Sequence, residues 1–166
     1  IGYCTISGVP KGYDTIVSSG GQMIVNDSAY AKNIDVLYGG SAYVYGFIDG
    51  NITVAGSMLV VSSAVVSSTV SLKLDISDRS VNDTYLLNGL SYFNSVSSLY
   101  LTIDSNQASG KYLLGSNAAN FNRSFSICTS DGICSGKTLS VGKSVAVDNL
   151  TLEMVQSNSY VYVNVY

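Results

Sequence analysis

Between residues 14 and 60 the chain repeats one short pattern three times. Each copy begins with a β-prone tetrapeptide: D-T-I-V at 14–17, N-I-D-V at 33–36 and N-I-T-V at 51–54. Each continues with a glycine and a short apolar run, at 21–25, 40–44 and 56–60. The glycine spacing is 19 residues from Gly21 to Gly40 and 16 from Gly40 to Gly56. A period near 20 with glycine between short strands is typical of a solenoid.

The repeat predicts a parallel β-coil whose turns stack at about 4.8 Å and bury one side of each strand. Glycine, which accepts positive φ, is expected at the corners. Two internal ladders are predicted, Val17 with Val36 and Val54, and Val25 with Val44 and Val60. An antiparallel meander of similar hairpins is the alternative. Three turns is near the minimum for stability, so we expect the remaining chain to cover an open end.

Composition favours an all-β fold throughout. The chain is 46% hydrophobic but only 11% charged, and the abundance of Val, Ile, Thr and Tyr favours strands over helices. We predict a short parallel β-solenoid (β-helix) with an N-terminal lead-in over residues 1–70. From residue 71 the pattern changes to clean alternation, with Leu72, Leu74 and Ile76 on one face. An antiparallel β-sheet or sandwich-like module is therefore predicted over 71–166.

The glycine-punctuated segments resemble the passenger repeats of AIDA-type autotransporter adhesins, with the approximate pattern V-S-S-G-G-x-x-x-V. Residues 17–25 match it throughout and residues 38–44 in part. Later segments resemble the module that often follows such repeats in large bacterial surface proteins: Q-A-S-G-K-Y-L-L at 107–114, A-A-N-F at 118–121 and T-L-S-V-G-K at 138–143. The resemblance implies a secreted β-helical passenger acting in adhesion or self-association. The cysteines and the small number of repeats depart from that family.

Several classes of function are disfavoured. Histidine is absent, which excludes Ser-His-Asp and Cys-His catalysis, and no Gly-rich phosphate loop has the required spacing. We therefore expect no enzyme and no cofactor. The net charge of −3 with scattered basic residues argues against nucleic acid. No apolar run approaches the roughly 18 residues of a membrane span, and the start I-G-Y-C predicts a processed or excised segment.

One acidic cluster is a weak calcium candidate. Asp75, Asp78 and Asp83, with Asn82, lie within nine residues and offer the oxygen ligands that Ca²⁺ prefers. A solvated turn is the ordinary alternative, because Asp and Asn are common turn residues.

The cysteines predict an oxidising compartment. Cys128 and Cys134 flank T-S-D-G-I, which suits a hairpin with a three-residue loop and Gly132 in the left-handed position. The two cysteines then face each other within disulfide reach. Two reduced thiols are the alternative. Cys4 remains as a free thiol or an intermolecular link.

Five Asn-X-Ser/Thr sequons permit glycosylation, at Asn26, Asn51, Asn82, Asn122 and Asn149. A chain rich in Asn, Ser and Thr also produces such sequons by chance.

The C-terminal segment Y-V-Y-V-N-V-Y alternates strictly. Val161, Val163 and Val165 share one face, and Tyr160, Tyr162 and Tyr166 share the other. One interpretation is an internal strand with valines in the core. The other is an assembly strand at a sheet edge, offered to a second copy.

These patterns predict a secreted, cell-surface protein that acts by homotypic assembly, with filaments as one form, or by cell adhesion. Its expected partners are other copies of itself, surface glycans or a host-cell receptor. The alternative is a carbohydrate-binding or carbohydrate-cleaving β-helix, in which thirteen tyrosines replace the absent tryptophan as sugar platforms. Exposed tyrosines or carboxylates converging on one groove would favour that alternative.

Overall fold

The computed structural model describes residues 2–6 and 11–166, which form an all-β structure. The strands along this part of the chain are β1 (Tyr3–Ile6), β2 (Lys11–Val17), β3 (Gln22–Val25), β4 (Tyr30–Val36), β5 (Ser41–Val44), β6 (Phe47–Val54), β7 (Ser57–Val60), β8 (Val65–Val66), β9 (Ser71–Asp75), β10 (Leu87–Asn88), β11 (Ser98–Ile103), β12 (Gly110–Ser116), β13 (Ser124–Thr129), β14 (Cys134–Ser140), β15 (Lys143–Val147), β16 (Leu150–Ser157) and β17 (Tyr160–Val165). A 3-10 turn at Leu90–Phe93 is the only helical element among these residues.

The strands belong to two large mixed sheets. Sheet 1 has the order β1-β3-β5-β7-β10-β12-β17-β16-β15. Sheet 2 has the order β14-β13-β11-β9-β6-β4-β2, with β8 paired on β6. From β1 to β7 the chain passes alternately from one sheet to the other, and sequence neighbours within a sheet pair in parallel. The buried apolar side chains of both sheets form one hydrophobic core.

Both predicted valine ladders are confirmed. In sheet 2, Val36 pairs in register with Val17 on one side and Val54 on the other. The ladder in sheet 1 consists of Val25, Val44 and Val60. All six are buried because every second residue of these short strands faces the core, as the period-2 geometry of a strand requires.

The repeated glycines have two different roles. Gly20 and Gly39 take the expected positive φ, at 73° and 78°. The repeat glycines Gly21, Gly40 and Gly56 do not have a positive φ. Their role is to let two main-chain segments approach closely. A Cβ on Gly56 would lie 2.3 Å from the carbonyl oxygen of Gly40. The main chain at Gly56 therefore lies against the main chain at Gly40, which a side chain at Gly56 would prevent.

The prediction of antiparallel pairing from residue 71 onward is wrong for its first half. β9, β11 and β13 extend sheet 2 in parallel, and β10 and β12 extend sheet 1 in parallel. Among the described strands, antiparallel pairing is confined to β13–β14 and to the set β12–β17–β16–β15. The reason is that alternation identifies which face of a strand is buried but not the direction of its neighbour. Pairing of β6 with β9 also crosses residue 70, and the two-domain division stays a prediction.

The two ends of the parallel stack differ. At the start, β1 and β2 are the outermost strands of sheets 1 and 2, and no strand of the described residues pairs with their outer sides. At the far end, antiparallel strands follow the parallel ones, and the edge strands β14 and β15 contact each other. Lys137 on β14 donates a hydrogen bond to the carbonyl oxygen of Ala146 on β15. We call the outer sides of β1 and β2 the open end.

The edge position considered for the C-terminal segment is wrong. β17 lies between β12 and β16 and pairs with both, so its backbone groups are already used. Val161, Val163 and Val165 are buried, as the internal-strand interpretation expects. The tyrosines on the other face remain available to solvent in part.

No helix in the described part of the chain is long and apolar enough to cross a membrane.

Candidate functional site

A cavity lies on sheet 1 beside an irregular segment, residues 77–86, which we call the strap. β10 is only two residues long and pairs with the last two residues of β12. The rest of β12 therefore has no strand on its β10 side, and the strap lies there instead. The main-chain N–H of Asn82 donates to the carbonyl oxygen of Lys111 (2.9 Å), and the carbonyl oxygen of Leu86 accepts from the N–H of Met58 (2.7 Å). The cavity has a volume of about 500 Å³.

Three tyrosines line this cavity, which we call the tyrosine groove. Tyr160 and Tyr162 reach it from β17, because the alternating valines of that strand take the core face. Tyr85 reaches it from the strap. Tyr160 is 43% exposed, whereas Tyr162 is covered by Lys111, whose Nζ lies 3.9 Å from the ring centroid. Because this cation–π contact occupies Tyr162, Tyr85 and Tyr160 are the rings of the groove without a cation over them.

Buried Arg79 anchors the strap. Its Nη1 donates to the carbonyl oxygens of Ala55 and Gly56, both at 3.0 Å. Its Nη2 donates to the carbonyl oxygen of Thr84 and lies 3.4 Å from a carboxylate oxygen of Asp83. Burial lowers the pKa of Arg79, and the neighbouring Asp83 carboxylate opposes that shift. One guanidinium therefore ties the strap to the turn before β7 and fixes the residues leading to Tyr85.

A smaller cavity of about 360 Å³ adjoins the groove across the strap and shares Thr84 and Tyr85 with it. Tyr43 of β5 and Asn88 of β10 line it. Aromatic and polar side chains thus continue over the outer side of sheet 1.

A second aromatic feature, the aromatic ridge, runs along sheet 2. The rings of Tyr13 and Tyr30 lie 6.0 Å apart, and Tyr30 stacks on Phe47 at 5.2 Å. The hydroxyl of Tyr30 donates to Asp49 at 3.0 Å, and Thr69 donates to the same carboxylate. The Thr69 hydrogen bond holds the pKa of Asp49 below its ordinary value, and partial burial raises the pKa of Tyr30. This feature is a stacked ridge on a sheet surface and not a groove.

The open end carries exposed apolar side chains. Tyr3, on β1, is 74% exposed, and Tyr13 and Ile16, on β2, are 53% and 65% exposed. Cys4 lies on β1 and is a free, exposed thiol. Outward-facing apolar residues on an unpaired strand are the combination that recruits another strand.

The predicted disulfide between Cys128 and Cys134 is present. The N–H of Thr129 donates to the carbonyl oxygen of Ile133 (2.8 Å), and Gly132 has a φ of 87°. The loop therefore has the register that the sequence predicted.

The calcium candidate is not assembled. Asp75 accepts hydrogen bonds from the N–H and hydroxyl of Ser77, and Asp83 is paired with Arg79. Across residues 2–6 and 11–166, no three acidic or cysteine side chains lie close enough to hold a metal ion. The carboxylates of Asp75 and Asp83 are therefore engaged in local contacts, and Asp78 is exposed in the turn between them.

The sequons are mostly at the surface. The exposed ones are Asn51, Asn82, Asn122 and Asn149, and Asn26 is half-buried. Asn82 also lines the tyrosine groove. Their glycosylation stays a prediction.

Comparison with protein-family models, with characterised proteins and with solved structures gives no match to this chain. The AIDA-type resemblance therefore rests on the residues quoted for it.

Sequence reasoning missed the groove because its parts are distant in the chain. Alternation over residues 160–166 identified the tyrosine face of β17, but nothing local indicated that the strap would lie beside it. Arg79 was missed as well, because a single arginine in a polar loop is ordinarily solvated. The only available signal was a long loop after β9, since such loops are often functional.

Proposed function

We propose that this chain is an extracellular, non-enzymatic surface segment, a short parallel β-solenoid whose open end associates with a second copy. In-register parallel pairing from β1 to β13 supports the solenoid, with sheets 1 and 2 as its two faces. The disulfide supports an oxidising, extracellular location. The AIDA-type resemblance agrees with a secreted role in adhesion.

The observation that carries this function is the difference between the two ends of the stack. At the open end, β1 and β2 combine unpaired backbone groups with the exposed side chains of Tyr3, Tyr13 and Ile16. The far end has antiparallel strands and the mutual contact of β14 and β15. A second copy offers the same unpaired strands, so a two-fold, end-to-end pair satisfies both copies. Head-to-tail filaments would instead need the far end to accept strands.

Light scattering over a range of protein concentrations tests this association. Ile16→Lys places a charge on the open end and is expected to reduce the associated fraction, because edge lysines block strand addition. Ile133→Lys is the matched control, since Ile133 is 67% exposed in the disulfide loop and Ile16 is 65% exposed. A chain that is monomeric at every concentration, or two variants that associate equally, would contradict the proposal.

Carbohydrate binding is the second candidate function, and the tyrosine groove favours it. Of the residues lining that groove, only Asp83 carries a carboxylate, and it is paired with Arg79. Glycosidases ordinarily use two carboxylates flanking the scissile bond. The groove therefore favours binding over cleavage.

A further inference from the structure

We infer that the tyrosine groove is a binding site for a neutral saccharide chain. This inference rests on the second candidate function, carbohydrate binding, and names its site and ligand class. It is independent of association at the open end.

The groove combines aromatic faces with hydrogen-bonding groups. Tyr85 and Tyr160 offer rings that are not covered by a cation, and Asn82 and Asn158 supply amide donors and acceptors at the same cavity. Sugar rings present C–H faces to aromatic rings and hydroxyl groups to amides. A few polar groups among aromatic walls is the usual composition of a ligand site, and about 500 Å³ is an ordinary size for one.

The charges of the groove select a neutral ligand. Lys111 lies over Tyr162, and Asp83 lies 3.4 Å from Arg79. The carboxylate is compensated by a guanidinium and the cation lies against a ring, so neither charged group lacks an intramolecular partner.

The smaller cavity indicates a chain and not a single ring. It continues from the groove across Tyr85 and adds Tyr43 as a further aromatic residue. The hydrogen bonds of Arg79 hold the strap that carries Tyr85.

The aromatic ridge is the rival location for saccharide binding. It exposes Tyr13, but Tyr30 is stacked on Phe47 and its hydroxyl is bonded to Asp49. The rings of the ridge therefore contact one another, whereas the tyrosine rings of the groove line a cavity.

Titration calorimetry with cellohexaose, maltohexaose and hexa-N-acetylchitohexaose as neutral chains, and with hexagalacturonic acid as the acidic comparison, tests the inference. At least one neutral chain is expected to bind at millimolar concentration or below, and more tightly than the acid. Tyr85→Ala and Tyr160→Ala should each weaken binding about tenfold, the usual cost of truncating an aromatic hot spot. Tyr160→Phe should retain binding, and Tyr13→Ala is the matched control on the ridge.

The saccharide titrations are repeated in an Ile16→Lys background, which is expected not to associate. Saccharide binding and association can then be tested separately. Melting curves identify any tyrosine variant that fails to fold, in which case the other variant decides. Absence of saturation by every neutral hexasaccharide at millimolar concentrations would overturn the inference. Loss of binding in Tyr13→Ala, with binding kept in Tyr85→Ala and Tyr160→Ala, would overturn it as well.

Discussion

Replacing Val36 tests whether the turns stack as the ladders require. Val36 has no exposed surface and lies in register between Val17 and Val54. Val36→Ala removes two methyl groups, worth about 1.6 kcal/mol at about 0.8 kcal/mol per buried carbon. The cavity left behind adds to this loss, which gives about 2–3 kcal/mol in the free energy of unfolding. For a chain of this size we expect Tm to fall by about 4–12 °C.

Val36→Asp is the stronger form of the same test. A carboxylate at this position has no partner in the ladder, so the variant is expected to lose at least about 3 kcal/mol at neutral pH. Burial would raise the pKa of the new Asp above its unfolded value of about 3.9. The folded state then holds its proton after the unfolded state has released it. The loss is therefore smallest below about pH 4 and grows as the pH rises towards the folded-state pKa.

Circular dichroism melting and urea unfolding measure both variants. Val65→Asp is the matched control, because Val65 belongs to the same sheet but is 53% exposed, and its cost should stay within about 0.5 kcal/mol. Equal stability of Val36→Asp and Val65→Asp would refute the ladder.

Four further predictions follow from single contacts. Alkylation of the unfolded, unreduced chain should label Cys4 alone, and reduction should expose two more thiols; three labels without reductant would exclude the disulfide. Gly56→Ala should lower Tm more than Gly20→Ala, because a Cβ at Gly56 meets main chain while Gly20 has open space and only an unfavourable φ of 73°; the reverse order would contradict close stacking. Asp49→Asn should be less stable than the native chain at neutral pH, with the difference shrinking as the pH falls through the lowered pKa of Asp49. Thr69→Val should raise that pKa in an NMR titration, and an unchanged value would show that the Thr69 hydrogen bond is not its cause.

The features predicted from sequence are those encoded by nearby residues or by regular spacing. The register of Val17, Val36 and Val54 follows from a repeat of nearly constant length. The facing of Cys128 and Cys134 follows from the five residues between them, which suit a hairpin with a three-residue loop.

What sequence did not predict depends on distant neighbours. The alternation of Leu72 and Leu74 is the same in a parallel and an antiparallel sheet, so the partner of β9 could not be inferred from it. Tyr85 and Tyr160 are 75 positions apart, and they meet because β17 returns to pair with β12. The contact of Arg79 with Gly56 likewise exists only once the stack is formed.

Amide hydrogen exchange of the native chain and of Ile16→Lys, compared at one high protein concentration, tests the open end most directly. Half of the N–H groups of β2 point away from β4 and have no described strand partner. In an end-to-end pair these amides should exchange slowly in the native chain and quickly in Ile16→Lys, while β15 exchanges alike in both. Equal exchange of β2 in the two proteins, or protection that appears at β15 instead, would contradict association through the open end.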